Sequence, residues 1–111
     1  MNLVYLISAD KIGNQDQELG KQLMINFLRK LLEAEKKPSH LLLVERGVHL
    51  ILEDFPAFEA IMKLEESGVE ILACQTCIQY YKLEEKVAAG KIANMPTIIS
   101  KMHEADKVIS L

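Results

Sequence analysis

The sequence predicts an α/β fold in which a parallel sheet is covered by helices on both faces. Two observations carry that reading. Short apolar runs of strand length, 3–7, 40–44, 69–73, 91–93 and 107–111, alternate with stretches of helical periodicity. Several of the runs are continuously apolar, as in Leu41-Leu42-Leu43-Val44, instead of alternating with polar residues, which suits strands buried on both sides. Strand–helix alternation of this kind implies right-handed crossovers between parallel strands.

Leu3 to Ile7 is the first strand, followed by a loop, Ser8 to Gly13. Asn14 is the expected N-cap of the first helix, with Gln17 three residues on and Asp16 and Glu18 in the first turn. Leu19, Leu23, Phe27, Leu28, Leu31 and Leu32 give that helix one apolar face to about Glu35, before Pro38. Gly20 inside it costs up to about 1 kcal/mol against Ala, which points either to tolerance or to a close backbone approach. His40 to Val44 is the second strand, with Glu45-Arg46-Gly47-Val48-His49 at its end and a short apolar segment, Leu50 to Leu52, after it. Asp54 is the expected cap of a second helix carrying Phe58, Ile61, Met62 and Leu64, and Gly68 ends it. Val69 to Ala73 is the third strand. A helix is expected from Cys77 to Ala89, stopped by Gly90; Lys91 to Ala93 is a short fourth strand. Asn94 caps a helix over Met95 to Ala105, and Lys107 to Leu111 is the last strand.

The 111 residues read as one domain. Half are hydrophobic and a quarter charged, a soluble globular composition. The net charge of −3 comes with interspersed signs and no basic stripe, so nucleic acid is not an expected partner. No apolar run approaches the roughly 18 residues that span a bilayer. The N-terminus enters a strand pattern directly, without a basic segment, so no signal peptide is expected and a cytoplasmic location is.

Chemistry concentrates on Cys74-Gln75-Thr76-Cys77, which holds both cysteines of the chain. Thr76 is the expected N-cap of the helix behind it, because Gln79 stands three residues on. A thiolate at a helix start is stabilised, so the thiol pKa is expected to fall, and Cys74, in the loop, is the expected reactive thiol. The spacing fits disulfide exchange of the thioredoxin type and equally fits persulfide carriage. It also fits two inert cysteines that fill a turn. Zinc is not expected: one such pair supplies two of four ligands, and His40, His49 and His103 lack finger spacing. No G-x-G-x-x-G or P-loop follows the first strand, so no cofactor is expected. In a parallel sheet the loops beyond the strand C-termini share one rim. Residues 8–14, 45–49, 74–77 and the turn at Asn94 therefore gather there. Cys74 and Cys77 are the expected catalytic residues, with Gly13, Asn14, Arg46, Gly47, Gln75, Thr76 and Asn94 the expected substrate-binding set. His49 shares the rim and is expected to be an ordinary loop histidine.

These residues resemble the DsrE-like family, most nearly the C-terminal domain of YedF-type proteins of sulfur and selenium metabolism. Ile12-Gly13, Glu18-Leu19-Gly20, Gly47-Val48, 68–72 with the Cys-x-Thr-Cys unit, Asn94-Met95 and 105–109 carry the likeness in order. The resemblance implies a three-layer α/β/α domain with a mostly parallel five-stranded sheet, and homo-oligomers, trimers or hexamers. It implies a small sulfur or selenium carrier, or a sulfurtransferase-like protein, that uses a persulfide cysteine. A non-catalytic assembly subunit and a disulfide redox protein are the alternatives. Gln75 stands where the family has Gly, and Arg46 where it has Asn. YedF-type proteins carry a TusA-like domain ahead of this one; residues 1–111 read without it, so an outside TusA-like partner is expected.

Overall fold

The computed structural model describes residues 2–111. Five strands, β1 (Leu3–Ile7), β2 (His40–Leu43), β3 (Glu70–Cys74), β4 (Lys91–Ala93) and β5 (Lys107–Ser110), form one sheet in the order β4-β3-β2-β1-β5. All four pairings are parallel. The helices are α1 (Gln17–Leu31), α2 (Phe58–Glu66), α3 (Gln75–Tyr80) and α4 (Met95–Glu104), with a 3-10 helix over Glu45–Ile51.

Period-two alternation divides the strands between two cores. Ile7, Leu41, Leu43, Ile71 and Ala73 face Met24 and Leu28 of α1, Ile61 and Leu64 of α2, Ile78 of α3 and Val48, Leu50 and Ile51 of the 3-10 helix. Val4, Leu42, Leu72 and Cys74 face the other way, toward Ile98 of α4. The first core is much the larger; α4 covers the second, with Cys77 of α3 at its margin. Among the described residues no polar or charged residue is buried. Polar contacts instead tie the strand beginnings together, with His40 Nε2 and Glu70 Oε1 2.8 Å apart across β2 and β3.

The strands and α4 fall close to their sequence-based positions; the boundaries of the other three helices do not. The cap of α1 is Asp16, whose Oδ1 accepts from Leu19 N at 3.0 Å, and not Asn14. Gly13, at φ +81°, turns the chain back so that Ile12 N donates to Gly20 O at 3.0 Å, which holds residues 14–16 out of the helix. The same contact explains Gly20: a Cβ there would lie 2.9 Å from Ile12 O, so the close backbone approach is the correct alternative. The α1 helix also stops at Leu31, short of Glu35. Asp54 does not cap α2. Residues 52–57 form turns, with Phe55 N bonded to Leu52 O and Phe58 N to Phe55 O, and Ala57 occupies the cap position.

The third difference lies in α3, which runs for 6 residues and does not reach Ala89. Lys82 adopts a left-handed conformation at φ +58°. Lys82 N then donates to Gln79 O at 3.1 Å and Leu83 N to Ile78 O at 2.9 Å, the two bonds of a Schellman ending. Leu83 and Ile78 are both buried in the larger core, which supplies the apolar contact that accompanies this motif. Burying Leu83 therefore ends a segment whose charged residues 84–86 would otherwise prolong it. Val87 instead bridges Leu52.

Candidate functional site

Both cysteines lie at the C-terminal rim, at the junction of β3 and α3. β3 extends one residue beyond Ala73, because Cys74 pairs in register with Ala93 of β4. Alternation after Leu72 then turns the Cys74 side chain onto the α4 face, where it is 1% exposed. Cys74 also occupies the N-cap position of α3, and its side chain makes no capping bond. The expected access is thus reversed: Cys74 is buried, while Cys77, in the first turn of α3, is half-buried and packs against both cores. Thr76 is not the cap but an exposed residue inside α3.

Cys77 Sγ accepts a hydrogen bond from Glu45 N–H at 3.1 Å. That donor is held by two features. Glu45 has φ +49°, a conformation that non-glycine residues adopt at a cost of about 1–2 kcal/mol. Gly47 lets the 3-10 helix lie directly on the end of β1: a Cβ at Gly47 would stand 2.1 Å from Ile7 O. The thiol's electrostatics run against expectation. Burial pushes the Cys77 thiol above its ordinary value of 9.0. The Glu45 N–H opposes that rise, while the neighbouring Cys74 thiol and the Glu45 charge add to it. α3 is too short for its dipole to prevail.

Beyond Cys77 along the rim, side chains from three loops meet one another. Tyr81 follows one turn later, its N–H donating to Cys77 O at 3.1 Å. The Arg46 guanidinium lies 5.8 Å from the centre of the Tyr81 ring and pairs with Asp10 at 3.2 Å. His49 meets Tyr81 edge-on at 4.8 Å, with its Nδ1 3.1 Å from Arg46 O. His49 thus packs on the Tyr81 ring and the Arg46 backbone as a residue of the rim loop.

The other residues named from the sequence divide. Arg46 and Gly47 follow Glu45, whose N–H reaches Cys77, and Gln75 and Thr76 form the exposed link between the two cysteines. Gly13 and Asn14 instead line an apolar groove along α1 with Leu19 and Leu23. Asn94 is at the rim, but its side chain is engaged as the cap of α4, accepting from Thr97 N at 2.9 Å. Sequence reasoning missed Glu45, Asp10 and Tyr81. Glu45 acts through its backbone, which no residue type announces; Asp10 and Tyr81 are ordinary surface types until the sheet brings their loops together. Among the described residues, no group of three or more His, Cys, Asp or Glu side chains is disposed to hold a metal ion. The arrangement presents an accessible thiol beside a backbone donor, with a second thiol behind it.

Solved structures with the same fold include the ychN protein from E. coli, with a TM-score of 0.73 at 17% identity over 100% of both chains. The protein of unknown function MTH1491 from Methanobacterium thermoautotrophicum gives 0.72 at 17%, over 99% of this chain and 98% of that one. The conserved protein of unknown function BT1422 from Bacteroides thetaiotaomicron gives 0.67 at 13%, over 99% and 95%. At these identities the likeness establishes the fold. No curated protein sequence matches the chain. The model of the DsrE/DsrF-like family matches residues 1–111, so the chain belongs to the DsrE/DsrF-like family.

Proposed function

We propose that this protein accepts sulfane sulfur, or its heavier congener selenium, on Cys77 and acts as a small carrier or sulfurtransferase-like protein. One observation carries the reading: the half-buried Cys77 thiol accepts the Glu45 N–H at 3.1 Å, and a non-glycine residue in the left-handed region supplies that donor. Membership of a family associated with sulfur relay supports it. A thiol held above 9.0 is a slow nucleophile at neutral pH in the resting protein. A persulfide is intrinsically more acidic than a thiol and extends one sulfur further toward solvent, so the same donor suits the loaded state better. Arg46, Tyr81 and His49 frame the approach, and Gln75 and Thr76 border it. The closer likeness to YedF-type domains, a TusA-like protein as exchange partner and a cytoplasmic location belong to this proposal. No helix among the described residues is long and apolar enough to cross a membrane.

The test is intact mass spectrometry after exposure to inorganic polysulfide. Wild type and Cys74→Ser should each gain the mass of a sulfur atom, and Cys77→Ser should not. Uptake on Cys74 alone would reverse the roles, and no uptake on either would leave the cysteines as packing residues. That assembly reading draws on one feature, apolar exposure: Leu19 and Leu23 stand out on α1, and Ile92, Met95 and Ile99 lie on or beside α4. Self-association into a trimer or hexamer is proposed under either reading. Light scattering that gives the monomer mass at high micromolar concentration would refute it.

A further inference from the structure

Cys74 is a nucleophilic group that sulfur acceptance on Cys77 leaves without a task. It is 1% exposed, packed among Val4, Leu42, Leu72, Ala93 and Ile98, so an external sulfur donor has no route to it. Its one reactive neighbour is Cys77, which packs against the same cluster. Only Gln75 and Thr76, both exposed, separate the two, so the turn has room to adjust.

We propose that Cys74 is the releasing thiol of the site: it attacks Sγ of a Cys77 persulfide and expels the outer sulfur as hydrosulfide. This rests on the reading of Cys77 as the sulfur acceptor. The S–S bond within the persulfide breaks and a Cys74–Cys77 bond forms. The Cys74 thiol proton leaves with the departing sulfur, so Cys77–S–S⁻ and Cys74–SH give the disulfide and HS⁻. The outer sulfur is reduced to sulfide and the Cys74 sulfur is oxidised to the disulfide level that the Cys77 sulfur already holds in the persulfide. A low-molecular-weight thiol returns the pair to its reduced form by exchange, becoming a disulfide itself. Burial imposes the order of events: Cys74 is shielded from the donor and meets sulfur only after Cys77 has taken it up. The protein is thereby a sulfide-releasing device as well as a carrier. A partner that takes the outer sulfur competes with Cys74.

The experiment loads wild type, Cys74→Ala and Cys74→Ser with inorganic polysulfide under anaerobic conditions and desalts them without reductant. It then follows intact mass, free thiol and hydrosulfide over time, with circular dichroism as the check on folding. Wild type should lose its added sulfur, release one hydrosulfide per chain and end two hydrogens lighter. Both variants should keep the adduct at least about tenfold longer. An adduct equally durable in wild type and variants, with no disulfide formed, overturns the proposal while leaving Cys77 as acceptor. Absence of any adduct in all three overturns the acceptor reading itself, and the release step with it. The wild-type time course alone decides the matter if both variants prove unfolded.

Discussion

Gly47 connects the backbone packing to the thiol, and Gly47→Ala tests that connection. A Cβ at this position would stand 2.1 Å from Ile7 O, where real contacts stay beyond 3.0 Å, so the 3-10 helix must withdraw by about 0.9 Å. Ile7 O cannot yield, because it already accepts from Val44 N at 3.0 Å at the end of the interior strand β1. Overpacking of this kind costs about 2–3 kcal/mol. The same movement carries Glu45 N away from Cys77 Sγ, from 3.1 Å toward about 4 Å, where the bond is lost. That bond is what lowers the Cys77 pKa, so the midpoint of its alkylation should rise. A rise of half a unit reduces the rate about threefold at any pH below the midpoint. Urea denaturation measures the first effect and pH-dependent alkylation, read by mass spectrometry, the second. Gly20→Ala is the control: its Cβ meets Ile12 O at 2.9 Å, a tenth of an ångström inside the limit, in a helix where Ala is favoured. Its stability should fall by about 1 kcal/mol, because the backbone at Ile12 must give way, while its thiol profile should not move. A Gly47→Ala protein with wild-type stability and an unchanged Cys77 profile would refute the reasoning.

Alkylation of the folded protein should modify Cys77 and spare Cys74, and in denaturant both should react; single Cys→Ser variants assign the sites. The Cys77 rate should climb through pH 9.0 without a plateau near neutrality, and Cys74→Ser should lower its midpoint, since Cys74 contributes two of the effects that raise it. Folding favours the neutral Cys77 thiol, so its contribution to stability is whole below 9.0 and is lost as pH rises through the higher folded value, which alkaline urea titrations would detect. Asp16→Ala and Asn94→Ala should each cost about 1 kcal/mol through loss of a helix cap, whereas Thr76→Ala should stay within about 0.5 kcal/mol; equal losses at all three would contradict the assigned caps. Lys82→Gly should stabilise by up to about 1 kcal/mol, relieving the left-handed conformation that ends α3, and a loss of stability there would count against the Schellman ending.

The sequence by itself determined those features whose cause is local in the chain. Continuous apolar runs marked β1, β2 and β3, because an interior strand covered on both faces needs no polar residue; the largely exposed edge strands β4 and β5 showed only as short apolar segments. Asn94 announced α4, since a cap and the N–H it satisfies lie three residues apart. Gly68, at φ +109°, marked the end of α2. Parallel topology, once accepted, brought the cysteines to the same rim as Arg46 and Gly47. What only the tertiary structure decided depends on contacts between distant residues. Asp16 prevailed over Asn14 as a cap because Ile12 bonds to Gly20. α3 ended at Tyr80 because Leu83 enters the core. Pairing with Ala93 lengthened β3 by one residue, and with a side-chain period of two that residue buried Cys74. The character of the remaining thiol was likewise set from afar: Cys77 is held between burial, which raises its pKa, and a donor 32 residues away in sequence, which lowers it.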